Sequence, residues 1–318
     1  MPTTYEIFNV NNDTTTTKTI LHEVLPLTGT LASGTYGSPD GTEFNIKNYT
    51  HGMFQSVYDY PFLSSSANHI YDITIGFDES SAFSGSSDTH TQINKKINVY
   101  NQFAQVLLGY TESANTVRLF ENDLTLDKDG VMQNLFILPF SRLITKDQIK
   151  KGSVSIQVGT GSYYSGGADH DAKDKGGSPF QDKTGGSRLI TIQDLSASDQ
   201  GGTTQTIGGE YGVLYVSDAN GGTAAGYPSD KGVGAVFYQA GVMVLTASIF
   251  DGITQDEFLV NVGGNAALSQ SVAAAFTGSS ISSSCDGFRH RLYNISFNNS
   301  TEINSTIYFC RLPVNKFN

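Results

Sequence analysis

The chain has no tryptophan, two cysteines and eight prolines in 318 residues. Neither Cys285 nor Cys310 lies in a CxxC spacing, so no cysteine-built zinc or redox motif is present. The opening residues, Met1-Pro2-Thr3-Thr4-Tyr5-Glu6-Ile7-Phe8, lack the basic and apolar regions of an export signal. A chain made and used from the cytoplasm is therefore expected, with two buried thiols rather than a disulfide. Charge is also scarce: 15 per cent of residues are Asp, Glu, Lys or Arg, against roughly a quarter in an ordinary soluble domain. The balance is acidic, 19 basic against 30 acidic side chains, for a net charge of −11. A lysine-poor acidic surface excludes phosphate-neutralising nucleic-acid binding. No apolar run approaches the roughly 18 residues of a membrane span.

Glycine, hydroxyl side chains, asparagine and aromatics fill the space that charge leaves. There are 34 glycines, 16 tyrosines and 19 phenylalanines. This composition points to a mainly β fold, sandwich-like, with one or two short helices and α+β at most. Four regions follow from the pattern. Residues 1–50 read as an N-terminal arm or short strands, with turn signals such as Ser38-Pro39-Asp40-Gly41. Residues 51–158 read as a β-rich domain carrying a helix over 92–108, in which Ile97, Tyr100, Phe103, Val106 and Leu107 recur at helical spacing before Gly109. Strands are expected at Ile73–Phe77, over Val131–Thr145 with Leu135, Ile137 and Leu138 at its apolar centre, and at Val154–Val158. Thr145-Lys146-Asp147-Gln148 has capping-box spacing and predicts a short helical turn after it.

Residues 159–209 read as Gly-rich loops with one intervening strand at Leu189–Ile192. Residues 210–318 read as a second β-rich domain, with two paired strands across Val233–Phe250 and a short helix over Ser269–Phe276. The polar stretch Asn298-Asn299-Ser300-Thr301 lies between two β-patterned segments and predicts a closing hairpin.

The search for chemistry assigns no catalytic, cofactor-binding or metal-ligating residue. The six histidines, His22, His51, His69, His90, His170 and His290, form no metal-ligand spacing. Leu126-Asp127-Lys128-Asp129-Gly130 resembles the start of a calcium loop but lacks its sixth-position glycine and closing Glu, so a plain turn is expected. The acidic run Ala168–Asp174 reads as a solvated loop. Gly159-Thr160-Gly161 follows a strand, but no helix follows to receive a phosphate. Phe288-Arg289-His290-Arg291 is the densest basic spot, expected to pair with an acidic neighbour. An empty search in a neutral polar, aromatic-rich chain favours a structural or binding protein over an enzyme, because burying hydroxyls at permanent interfaces costs less than burying unpaired charge.

Four segments carry a specific resemblance: Ser56-Val57-Tyr58-Asp59-Tyr60-Pro61-Phe62 continuing to Ile70, Asn94-Lys95-Lys96-Ile97-Asn98-Val99-Tyr100, Phe140-Ser141-Arg142-Leu143-Ile144 continuing to Gly152, and Gly209-Glu210-Tyr211-Gly212-Val213. With the closing stretch Phe288 to Arg311, they resemble virion structural proteins of T4-like tailed phages of marine cyanobacteria and related marine bacteria. The resemblance implies a non-enzymatic subunit of a contractile-tailed particle, in tail, baseplate or neck, with copies of itself and other virion proteins as partners. It also implies a region continuing beyond Asn318. Segments 56–77 and 288–311 are expected to supply core and interface. The alternative is a host-surface adhesin or fibre-attached module in which Tyr163, Tyr164 or Tyr227 stacks on glycan rings. A depolymerase would need paired carboxylates at a cleft, and the sequence does not pair them.

Overall fold

Residues 9–27, 31–32, 44–85, 91–111, 116–161, 180, 188–198, 202–217, 232–251, 258, 271–278 and 280–309 are described by the computed structural model. Strands β1 (Thr14–Leu27), β2 (Ile46–Asn48), β3 (Gln55–Tyr58), β4 (His69–Phe77), β5 (Asn134–Pro139), β6 (Gln148–Ile149) and β7 (Ser155–Gly159) come from the first half. Then follow β8 (Leu189–Gln193), β9 (Thr203–Thr206), β10 (Gly209–Ser217), β11 (Gly232–Phe237), β12 (Val242–Thr246) and β13 (Leu292–Tyr308). They hydrogen-bond as one antiparallel sheet in the order β1-β13-β7-β8-β10-β11-β12-β5-β4-β3-β2, with β6 added to β13 and β9 to β10. The fold is mainly β, as composition and period indicate. The helices are α1 (Thr91–Leu107), α2 (Arg142–Thr145), α3 (Val272–Gly278) and α4 (Ile281–Arg291).

The central strands are apolar on both faces because both faces are covered. In β5, Leu135 and Ile137 pack with Val242, Val244, Phe237 and Val213 beneath Tyr100, Ala104 and Leu107 of α1. Phe136 and Leu138 face the opposite way, toward Met243, Leu245, Val236 and the α3–α4 residues Phe276, Cys285 and Phe288. Phe136 stacks on Phe288 at 4.7 Å between ring centres. Each fully buried side chain of this kind contributes roughly 1.5–3 kcal/mol. Helix α1 lies so close to β4 that a Cβ on Gly76 would sit 2.8 Å from Tyr100 N and 3.0 Å from Lys96 O. Gly109 ends the helical course with φ +83°. Of the five residues expected on the helix face, Val106 is instead exposed, and the buried stripe runs through Ile93, Lys96, Tyr100, Ala104 and Leu107.

Four expectations are corrected. Leu292–Tyr308 is one continuous strand, not a hairpin. Its partner is the N-terminal β1, from Thr14↔Tyr308 to Leu27↔Ile295, so Asn298–Thr301 runs extended where a turn was expected. The strand expected over Val131–Thr145 is shorter, β5 ending at Pro139, and a helical turn at Arg142–Thr145 precedes the predicted capping box rather than following it; Lys146 turns left-handed at φ 56° and Gln148–Ile149 pairs with β13. The stretch 196–209 contains β9, paired with β10 from Thr206↔Gly209 to Thr203↔Gly212. Helix α4 was unforeseen: Ser282-Ser283-Ser284 and Gly287 are poor helix formers. Burial of Ile281, Cys285 and Phe288 and the Ser280 cap on Ser283 N offset that deficit. Hydrogen bonds between β12 and β5, and between β13 and β7, join strands from both expected β-rich regions.

Candidate functional site

Strand β13 begins inside the sheet and leaves it. From Leu292 to Ser296 it pairs with β7, and at Asn299 and Ser300 with β6. Past Ser300 its only partner among the described residues is β1. Thr301–Tyr308 and Thr14–Leu21 thus form a projecting two-stranded ribbon, roughly 27 Å long at about 3.4 Å per residue. Its base is pinned: Asn299 Nδ2 donates to Ile144 O at 2.8 Å, and Glu302 N donates to Asp147 Oδ2 at 2.7 Å. Its tip is closed by Phe309 N donating to Asp13 O at 2.7 Å and by Asp13 Oδ2 accepting from Asn9 N at 2.8 Å.

Opposed residues of an antiparallel pair share a face, and faces alternate along the strand. One face carries Lys18 with Asn304, Ile20 with Glu302 and His22 with Ser300; Lys18 and Glu302 form an ion pair there. That hydrogen bond from Lys18 holds Glu302 below the usual carboxylate range. The opposite face begins at the buried Leu27–Ile295 pair and at Leu25–Phe297, of which Leu25 is half-buried, and passes Glu23–Asn299. It then runs outward through Leu21–Thr301, Thr19–Ile303, Thr17–Ser305 and Thr15–Ile307. Beyond Glu23 this face holds no charged residue. Leu21, Ile303 and Ile307 are about half exposed on it, and Thr17 bridges Ser305 hydroxyl to hydroxyl at 2.6 Å. The apolar stripe is the core face of the sheet continued into solvent.

The other features singled out in the sequence lie elsewhere. Arg291 is fully buried, donating through Nη1 to Gly159 O at 3.1 Å and Gly161 O at 2.7 Å, and through Nε to Phe258 O at 3.2 Å. Gly159-Thr160-Gly161 therefore turns carbonyls toward a cation, the reverse of an anion cradle. Arg289 does meet the expected acidic neighbour, Asp286 Oδ1 at 2.9 Å, which also accepts from Gln55 Nε2 at 2.7 Å. The basic spot is internal scaffolding. Cys285 is a buried free thiol; burial pushes its pKa well up and its Sγ donates to Ile73 O at 3.4 Å. Burial also lowers Lys96 to about 8, and its ammonium donates to Phe276 O.

His69 pairs with Asp72 at 2.8 Å and His51 stacks on Tyr49 at 5.0 Å. Cys310, His90, His170, Ala168–Asp174, Tyr163, Tyr164 and Tyr227 lie outside the described residues. The expected turn at 126–130 is present, but it delivers Asp127 to Glu121 and Asp123, with one carboxylate oxygen of each within 4.8 Å of the others. It is the only such acidic or histidine–cysteine grouping among the described residues. The sequence reading weighed only the run from Leu126 to Gly130, with Asp127 and Asp129, because Glu121 lies across a bridge, Glu121↔Val131, that only the folded loop makes. No protein-family model, curated protein or solved structure matches this chain.

Proposed function

We propose that the chain is a non-enzymatic structural subunit of a contractile-tailed phage particle, in tail, baseplate or neck, which assembles with copies of itself and with other virion proteins. The phage attribution rests on the segment resemblance. The observation that supports an assembly role is the ribbon. Two strands standing alone in water are marginally stable at best, and this pair presents an uncharged face continuous with the core. The long outer edge of β1 has no strand partner among the described residues, and such an edge invites another chain. The occupant we assign is the equivalent surface of a second copy. Few charges stand there to be desolvated, and the hydroxyls between Leu21, Ile303 and Ile307 can be satisfied across a packed interface.

The test has two arms. Mass spectrometry of purified phage particles should detect the chain; its absence from the particle would sink the virion reading. Sedimentation of the purified protein should show self-association that Ile303→Lys with Ile307→Lys removes. Both side chains lie outside the core, so the double variant should keep the wild-type circular dichroism and melting temperature. Unchanged association in the variant would move the interface off the ribbon.

A further inference from the structure

We propose that Glu121, Asp123 and Asp127 form a binding site for one divalent cation of the calcium class. The loop that carries them is closed at its base by Asn122 N donating to Gly130 O at 3.0 Å and Met132 N donating to Phe120 O at 2.7 Å. Within it each carboxylate spends one oxygen on shaping the backbone. Glu121 Oε1 accepts from Lys128 N at 2.9 Å, Asp123 Oδ1 from Thr125 N and Oγ1 at 3.1 Å, and Asp127 Oδ1 from Asp129 N at 3.0 Å.

What points to a ligand is the remaining oxygen of Glu121. The residue is 4 % exposed, yet its Oε2 is buried with no hydrogen-bond partner among the described residues. A buried carboxylate oxygen left unpartnered beside two further carboxylates is costly without a cation to answer it. No Lys, Arg or His among the described residues forms an ion pair with any of the three. Burial raises the pKa of Glu121, and Asp123 and Asp127 push it further.

The spacing matches the ligand. Two oxygens held about 2.4 Å from one calcium ion lie at most about 4.8 Å apart, the limit within which all three carboxylates fall. An all-oxygen, all-carboxylate set suits a hard cation rather than zinc or copper. Counted from Glu121, Asp123 and Asp127 fall at the third and seventh positions of an EF-hand loop, but Leu126 replaces its sixth-position glycine and Met132 its closing Glu, so the loop is not an EF-hand. The loop is braced against the sheet by Thr204 Oγ1 donating to Leu124 O at 2.7 Å and Tyr211 OH donating to Asp123 O at 3.2 Å. A bound cation would thus tie residues 121–131 to the β9–β10 hairpin.

Terbium, a calcium surrogate, reads this site directly: the chain has no tryptophan, and Tyr211 stands against Asp123 as the excitation donor. Titration of the full chain should give tyrosine-sensitised emission in one saturable phase, reversed by calcium. Glu121→Gln and Asp127→Asn should each weaken the midpoint by about tenfold or more. Asp127 is exposed, so its variant carries the test even if the buried one misfolds. Absence of sensitised emission, or an unchanged midpoint in Asp127→Asn, would overturn the proposal and leave only diffuse attraction to an acidic surface.

Discussion

Asp194 offers the sharpest test of how the ribbon is held. It is fully buried and receives three donors: Gly152 N at 2.8 Å, Val154 N at 2.9 Å and Tyr238 OH at 3.0 Å. The first two lie between β6 and β7, the strands that pair with β13, so this carboxylate sets the seat of the ribbon. Gly212 leaves the room: a Cβ there would stand 2.2 Å from the Tyr238 hydroxyl. Asp194→Ala orphans all three donors. Leaving a buried donor unsatisfied costs roughly 1–3 kcal/mol, and Gly152 is half-buried and regains some water. The expected loss is about 4 kcal/mol, a large part of the roughly 5–15 kcal/mol that a domain possesses. Asp194→Asn keeps one acceptor oxygen and should lose about 2 kcal/mol, with a donor facing a donor on one side. Tyr238→Phe removes a donor and leaves the carboxylate its two backbone N–H groups, for about 1 kcal/mol. Urea unfolding followed by circular dichroism measures all three, with the midpoint moving and the slope constant. An Asp194→Ala variant within 1 kcal/mol of wild type, or an order other than Ala, Asn, Phe, would refute the reasoning.

Gly76→Ala should lower stability by roughly 1–3 kcal/mol, because its Cβ meets the α1 backbone at Tyr100 and Lys96 rather than a movable side chain; an unchanged or raised melting temperature would show that α1 is free to shift. His290 should make the fold acid-sensitive. Burial, and then the Arg289 charge, lower its pKa to about 4, so the folded chain holds it neutral. That contribution is complete above the unfolded value near 6.5 and is lost as pH falls toward 4, up to roughly 3 kcal/mol. Glu121, Asp194 and Asp251, whose pKa values burial raises, work in the opposite sense, losing stability as pH rises. The diagnostic is therefore the difference between wild type and His290→Gln, whose stability should fall less steeply between pH 6.5 and 4; parallel curves would contradict the assignment.

Much of the fold was legible locally. Helix α1, the strands at Ile73–Phe77 and Val154–Val158, the apolar centre Leu135–Leu138 of β5 and the β11–β12 pair all announce themselves, because side-chain period and glycine punctuation act within a few residues. The candidate surface was half legible. The terminal segment was expected at an interface, but an alternating pattern interrupted by Asn-Asn-Ser-Thr looks the same whether the chain turns back or runs on. Helix α4 was hidden because its serines and Gly287 oppose helix formation, and only packing against Phe136, Phe250 and Phe258 outweighs them.

Sequence alone determined the mainly β class, the poverty of charge, and the periodicity that distributes apolar side chains to both faces of the central strands. These depend on residue chemistry and on neighbours two to four positions away. Tertiary structure alone decided that β13 pairs with β1 across nearly the whole chain, that Arg291 turns inward to carbonyls, and that Asp127 reaches Glu121. Each depends on which distant backbone arrives alongside. That outcome is set by the joint burial of many side chains and the saturation of buried polar groups, and no local pattern encodes it.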